Sequence, residues 1–313
     1  MQICAAKRRE LLVPYALDTM AAPLIQTIYG ASFNVLTDTA TRTGAADLES
    51  MQRFFMGYVV HLFALITVGH IVSYALSSTY RSMPNAFTPA IPKGEKRMPT
   101  SKPMWLSYIC SLFHAQLVAW SAFVNFYQRP ADLHATADVL TWTNLRNYSG
   151  TAMIAYLVVD GVLLCLMDGT RWFKGEKNQF MMYSAHHVLG FFSEGLAIYS
   201  GVGSLFFQWV HLCEFSTFFM HIRFFLLELG YKGTKLATAN DLCFAIFFFV
   251  IRVLCIPVIT YRLATSKDAW PSAAAWAFQL LVTLFFNGIN ALWFQQILGA
   301  VGLTGKSKKS KSK

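Results

Sequence analysis

The sequence predicts an all-α integral membrane protein: a bundle of about seven transmembrane helices with an N-terminal interfacial or re-entrant segment. Three observations carry this reading. The 313 residues are 55% hydrophobic and 15% aromatic but only 13% charged, with a mean hydropathy of +0.42, which is not the balance of a water-soluble globule. Seven windows are apolar over the roughly 20 residues that a helix needs to cross a bilayer core. The net charge of +10 is gathered in clusters at residues 7–9, 93–102 and 306–313, which leaves the apolar windows nearly bare.

The windows run from 54 to 77, 105 to 127, 151 to 168, 180 to 199, 203 to 229, 240 to 262 and 274 to 299. Only Ser200-Gly201-Val202-Gly203, an uncharged hairpin turn, separates the fourth from the fifth. Residues 11–33 are also apolar, but Pro14, Asp18 and Pro23 interrupt them, so they read as a segment lying in the interface. The proline- and charge-rich stretch 78–104 makes a solvent-facing loop, and no soluble domain fits anywhere. The chain thus divides into a basic and amphipathic segment at 1–50, a transmembrane domain at 51–300 and a basic tail at 301–313.

Lys and Arg in the connections set the orientation. With seven spans, the side holding the C-terminus carries 15 of them and the other side 9, which places the C-terminus in the cytosol and the N-terminus in the lumen. Lys309 and Lys311 have the spacing of a dilysine retrieval signal, so the endoplasmic reticulum is the expected compartment. The basic start is compatible with a mitochondrial presequence, which makes the mitochondrial inner membrane the alternative; no secretory signal peptide is evident. The basic clusters suit anionic lipid head groups, and no basic stripe interleaved with aromatics points to nucleic acid. Five of the six cysteines lie in apolar runs and none forms a CxxC pair, so a disulfide framework or a metal site is not expected.

An ionisable side chain at bilayer depth costs about 2.5 to 3.5 kcal/mol on insertion scales, so those present should face a protein interior or a wet cavity and be paired. They are therefore the functional candidates. Asp160 lies in the third window; His186, His187 and Glu194 in the fourth; His211, Glu214, His221, Arg223 and Glu228 in the fifth; Arg252 in the sixth. On a helix His187 and Glu194 fall about 20° apart, while His186 points about 100° away. Glu214 and His221 share a face with Thr217, and Arg223 sits with Ser216 on nearly the opposite side. Asp160, the two histidines and Glu214 are placed to converge on one cavity among spans three to five. The plainer reading, interhelical hydrogen-bond glue, applies first to Asp160, Arg223, Arg252, Asn287 and Asn290. His61, His70 and His114 read as structural.

In order along the chain, an Asp in the third span (YLVVDGVLL), an HH pair and the run LCEFSTFFMHIRFFL resemble the TLC domain family. That family is named for translocating-chain-associated membrane proteins, longevity-assurance ceramide synthases and a neuronal lipofuscinosis membrane protein. The resemblance covers about residues 50–300 and is nearest to the small TLC domain-containing proteins, with Glu214, Ser216, Thr217 and Arg223 matching; His221 stands where those usually have Asn. It implies a bundle of six to eight helices and a role with lipids. Ceramide synthases acylate a long-chain amine from acyl-CoA and carry HH followed by an HDxxD-like element. Here Cys213 stands at the His, Glu214 at the first Asp and Thr217 at the second.

The expected function is lipid handling: binding, transport or regulation of a sphingolipid or phospholipid, or a divergent N-acyl transfer with acyl-CoA as substrate. In the enzymatic version His186 or His187 is the base and Glu214 orients it. Asp160, Glu194, His211, Ser216, Thr217, His221, Arg223 and Arg252 would line the cavity. No cofactor is expected; haem would need histidines paired at matching depths on facing helices. The alternative is a non-catalytic accessory subunit of a larger membrane complex that retains a structural lipid.

Overall fold

The computed structural model describes residues 48–85, 100–128, 144–168, 177–200, 203–270 and 272–300. Among them the chain is helical, with no strand. Helix α1 spans Leu48–Leu76, the short α2 Ser78–Ser82 and α3 Lys102–Gln128. Helix α4, Asn144–Gly161, runs into a π-helical stretch, Val162–Leu166. Helix α5 is Lys177–Ser200, α6 Ser204–Leu212 and α7 Glu214–Glu228. Helix α8, Lys235–Phe247, continues through a second π-helical stretch, Phe248–Cys255, into α9, Ile256–Ala264, and α10 covers Ala273–Ala300.

Local chemistry sets the ends. The Ser77 and Thr234 hydroxyls accept the first free amides of α2 and α8, from Tyr80 and Ala237. Helix α7 stops at Gly230, whose φ of 83° lets the Tyr231 amide reach back to the Leu226 carbonyl at 2.8 Å and its own amide to Leu227 at 3.1 Å. Gly203 starts α6 at φ 84°, and a Cβ there would meet the Trp270 ring at 3.1 Å, so the α5–α6 hairpin needs glycine twice over. Pro257 lacks an amide proton and crowds the carbonyl one turn back. The wider i→i+5 turns of the π-helical stretch before it give that carbonyl room and carry Arg252.

Helix α4 packs on α3, α5 and α1; α5 packs on α10; α10 packs on α9 and the π-helical stretch before it; α7 packs on α3 and α8; α6 packs on α3 and α9. The chain from α3 to α10 thereby closes a ring, and α1 leans on its outside. Burial agrees: 78% of the apolar window in α4 is buried, against 6% in α1. Small residues make α4 the inner helix, because Ser149, Gly150, Thr151, Ala152 and Ala155 let three neighbours approach closely. The outward faces present Val60, Ile71, Leu242, Val258 and Leu281, which suits a hydrocarbon surround.

Among the described residues six helical stretches are long and apolar enough to cross a membrane, with α6–α7 forming one and α8–α9 another. The seventh expected span, α5, has the length at 24 residues, about 36 Å. Its histidines, serines and glutamate lower its hydropathy. The fifth window forms one span, Phe206–Glu228, with a tightened turn at Cys213, where the Cys213 and Ser216 amides bond three residues back. The expected interfacial segment at 11–33, most of the 78–104 loop, the dilysine spacing and the basic tail lie outside the described residues.

Candidate functional site

The polar side chains inside the ring sort into three groups. The first is centred on Asp160, fully buried in α4. It accepts hydrogen bonds from the hydroxyls of Ser107 on α3, Tyr183 on α5 and, at 3.2 Å, Tyr156 one turn back on α4. His187 Nε2 lies 2.9 Å from its Oδ2. His187 Nδ1 sits 3.1 Å from the Tyr183 carbonyl, which only accepts, so Nδ1 carries a proton and a second proton lies between Nε2 and the carboxylate. Asp160 and His187 thus form a net-neutral pair, fully hydrogen-bonded, that ties three helices together. His114 stacks on Tyr156 behind it, with ring centroids 4.1 Å apart.

The second group is built on Arg252. Its Nε donates to Ser216 Oγ at 2.8 Å, one terminal nitrogen to Asn290 Oδ1 at 3.3 Å, and the other to Thr217 Oγ1 at 2.9 Å and the Cys213 carbonyl at 3.1 Å. That carbonyl also accepts from the Ser216 amide at 3.0 Å and the Ser216 hydroxyl at 2.7 Å. The Glu214 carboxylate stands 4.0 Å from the guanidinium. Four N–H groups of one side chain therefore join α7 to α10 across the π-helical stretch.

The third group is Glu194, His211 and Ser149, each no more than 4% exposed. His211 Nε2 lies 3.2 Å from Glu194 Oε1 but off the line of a hydrogen bond, and His211 Nδ1 lies 3.3 Å from Ser149 Oγ. Ser149 donates its own proton to the Arg146 carbonyl, so it accepts from Nδ1.

A cavity separates the second and third groups. It has about 80 Å³ of free volume, and about 770 Å³ with the crevices and mouth around it. Its apolar wall comes from Leu157, Phe206, Phe207, Val210, Ile256, Phe286, Ile289 and Trp293, and its polar lining from His186, Ser193, Glu194, Glu214, Arg252, Thr283 and Asn290. Among the described residues no cluster of three or more His, Cys, Asp or Glu side chains is placed to hold a metal ion.

The structure brings His186, Glu194, Glu214 and Arg252 onto this cavity, with His211 behind Glu194 and with Ser216 and Thr217 behind Arg252. Asp160 and His187 do not line it; they occupy the other side of α5, as the 100° between adjacent positions requires. His186 faces α10 instead, with its ring 5.0 Å from Phe286, and its Nδ1 has no hydrogen bond among the described residues. His221, two turns beyond Glu214, has left the cavity and packs edge-on against Tyr108 of α3 at 4.8 Å. Arg223 points outward and pairs with Asp241 of α8 at 3.1 Å, both about 40% exposed. His61, His70 and His114 bond the Gly57 carbonyl, Tyr80 and Tyr58, as structural histidines do. Sequence reasoning missed Tyr156 and Tyr183; each sits four residues before its charged partner, Asp160 or His187, a spacing that places both on one helix face.

Residues 104–299 match the TLC domain. Over 234 residues the chain is 24% identical to TLC domain-containing protein 4-B of Danio rerio, which covers 70% of this chain and 83% of that protein. The matched interval runs from the start of α3 to the end of α10, so it coincides with the ring and leaves α1 outside. With the ring, its central cavity and this match, the chain belongs to the TLC domain family.

Proposed function

We propose that the protein handles a membrane lipid by holding part of it in the cavity between α4, α5 and α10. The observation that carries this is the composition of that cavity. It lies inside a ring of membrane helices, its walls are aromatic and aliphatic, and a few converging polar groups stand among them. An acyl or other apolar segment fits the walls, and a polar head fits the glutamates, Arg252 and His186. Family membership supports the same reading, since the TLC domain points to a membrane protein with a lipid-related role. The endoplasmic reticulum is the compartment proposed, with the mitochondrial inner membrane as the alternative.

A catalytic version, acyl transfer from acyl-CoA, rests on His186 alone, because His187 is engaged by Asp160 and does not line the cavity. The test is gentle purification of the full chain, with the mass of the intact particle and its copurifying lipids determined for the wild type and Ile289→Trp. The indole would fill the cavity, so the wild type is expected to retain a lipid that the variant loses. An identical lipid complement in both would remove the proposal. A particle heavier than one or two chains with lipid would favour the accessory-subunit reading.

A further inference from the structure

We infer that the cavity selects an uncharged lipid bearing a free hydroxyl, with that hydroxyl donating at the Glu194 end. This rests on the lipid-binding reading above and specifies its ligand. The charges come first. Glu214 is matched by Arg252 at 4.0 Å, and Glu194 by His211 at 3.2 Å. His211 Nε2 faces Glu194 Oε1 off the line of a hydrogen bond, so the carboxylate has a basic side chain beside it while Oε1 keeps its acceptor capacity. Each carboxylate on the cavity thus already has a basic side chain beside it, and no carboxylate stands within ion-pair distance of His186 among the described residues. A lipid with a net charge would enter a low-dielectric site that offers it no uncompensated counter-charge.

Arg252 is closed to a phosphate by geometry as well. Four of its five N–H groups already donate to Ser216, Asn290, Thr217 and the Cys213 carbonyl, so the fork that would grip two phosphate oxygens is occupied.

The hydrogen-bond inventory then fixes the polar group. Glu194 lies about 12 Å along α5 from His186, at the other end of the cavity. The Thr283 hydroxyl is already used on the Gln279 carbonyl at 2.8 Å, and Ser193 Oγ already accepts from Gln279 Nε2 at 2.7 Å. An acceptor on the cavity remains, because Glu194 Oε1 is buried with no hydrogen bond among the described residues. Glu194 itself is 3% exposed and lines the cavity. A site with a spare acceptor and with a basic partner beside each carboxylate recognises a neutral donor, which the hydroxyl of a lipid alcohol supplies.

Native mass spectrometry of the full-length protein in mild detergent tests this with four probes at equal concentration. They are 1,2-dioleoylglycerol, its analogue acetylated at the free hydroxyl, dioleoyl phosphatidate and sphingosine. Dioleoylglycerol is expected to bind about ten-fold better than each of the others, the factor of one hydrogen bond to a charged or charge-sharing group. Glu194→Leu should remove the preference over the acetylated analogue, and because the four-probe comparison uses wild type, a misfolded variant does not blunt it. Equal binding of the acetylated analogue, or stronger binding of phosphatidate or sphingosine, overturns the inference. If those charged lipids bind and Ile289→Trp abolishes it, the lipid-binding reading survives alone. If no probe binds, or if Ile289→Trp changes nothing, both fall.

Discussion

Gly150 of α4 lies directly under the Glu194 carboxylate of α5: a Cβ at position 150 would come within 2.5 Å of Glu194 Oε1 and 2.9 Å of an Ile198 methyl. The missing side chain is what lets the carboxylate sit beside His211 in a tightly packed helix pair. Gly150→Ala is therefore expected to push Glu194 away and lower stability by about 1–3 kcal/mol, the usual range for overpacking. Thermal unfolding of the purified variant measures this. A melting temperature equal to or above that of the wild type would show that the contact is looser than described.

The Asp160 group is expected to behave as a structural tie. Asp160→Ala leaves His187, Ser107, Tyr156 and Tyr183 without their common acceptor, and breaking a buried pair this way costs about 3–5 kcal/mol. Little folded protein should survive detergent extraction. Asp160→Asn retains one acceptor oxygen and should fall between Ala and wild type. Recovery of wild-type amounts of monodisperse Asp160→Ala on size exclusion would contradict the assignment.

Residue spacing alone made much of this legible. The apolar windows locate the long helices because a membrane span declares itself by length and hydropathy. The 100° between His186 and His187 sends them to different neighbours because α5 is a regular α-helix throughout. The same arithmetic puts Glu214 and His221 on one face, which is true of α7, but seven residues rise about 10 Å. That distance carries His221 past the cavity and onto Tyr108 of α3. The π-helical stretches were not legible, since an i→i+5 turn leaves no periodic mark in a run that is apolar all round. Nor was the tightened turn at Cys213, which has neither glycine nor proline to mark it, although it presents the carbonyl that Arg252 needs.

Arg252 offers a separable test of charge and geometry. Arg252→Lys keeps the charge but replaces a planar fork that makes four hydrogen bonds with a single ammonium, at an expected loss of about 2–3 kcal/mol. Arg252→Met should cost more, because it strands Glu214 in the cavity wall. Adding Glu214→Gln to Arg252→Met should then restore part of the loss, since two neutral groups no longer leave a buried charge unpaired. A double variant no more stable than Arg252→Met would mean that the 4.0 Å separation from Glu214 carries no coupling.

The paired histidines supply the sharpest contrast, because adjacent positions hold the same side chain in opposite roles. His187 is 7% exposed and hydrogen-bonded at both ring nitrogens, whereas His186 lines the cavity with Nδ1 free of any hydrogen bond among the described residues. His187→Ala removes the proton-sharing partner of Asp160 and is expected to cost about 3–5 kcal/mol. His186→Ala removes only van der Waals contacts with Phe286 and Trp293, so about 1 kcal/mol is expected. Thermal unfolding should therefore rank His187→Ala far below His186→Ala. Cellular lipid analysis of the stable His186→Ala protein then separates the two versions of the proposed function. If the protein transfers acyl groups, the loss of its one cavity-facing imidazole should change lipid composition while leaving the amount of protein intact. If it only holds a lipid, His186→Ala should at most weaken retention of the copurifying lipid, with cellular composition changed no more than by Ile289→Trp.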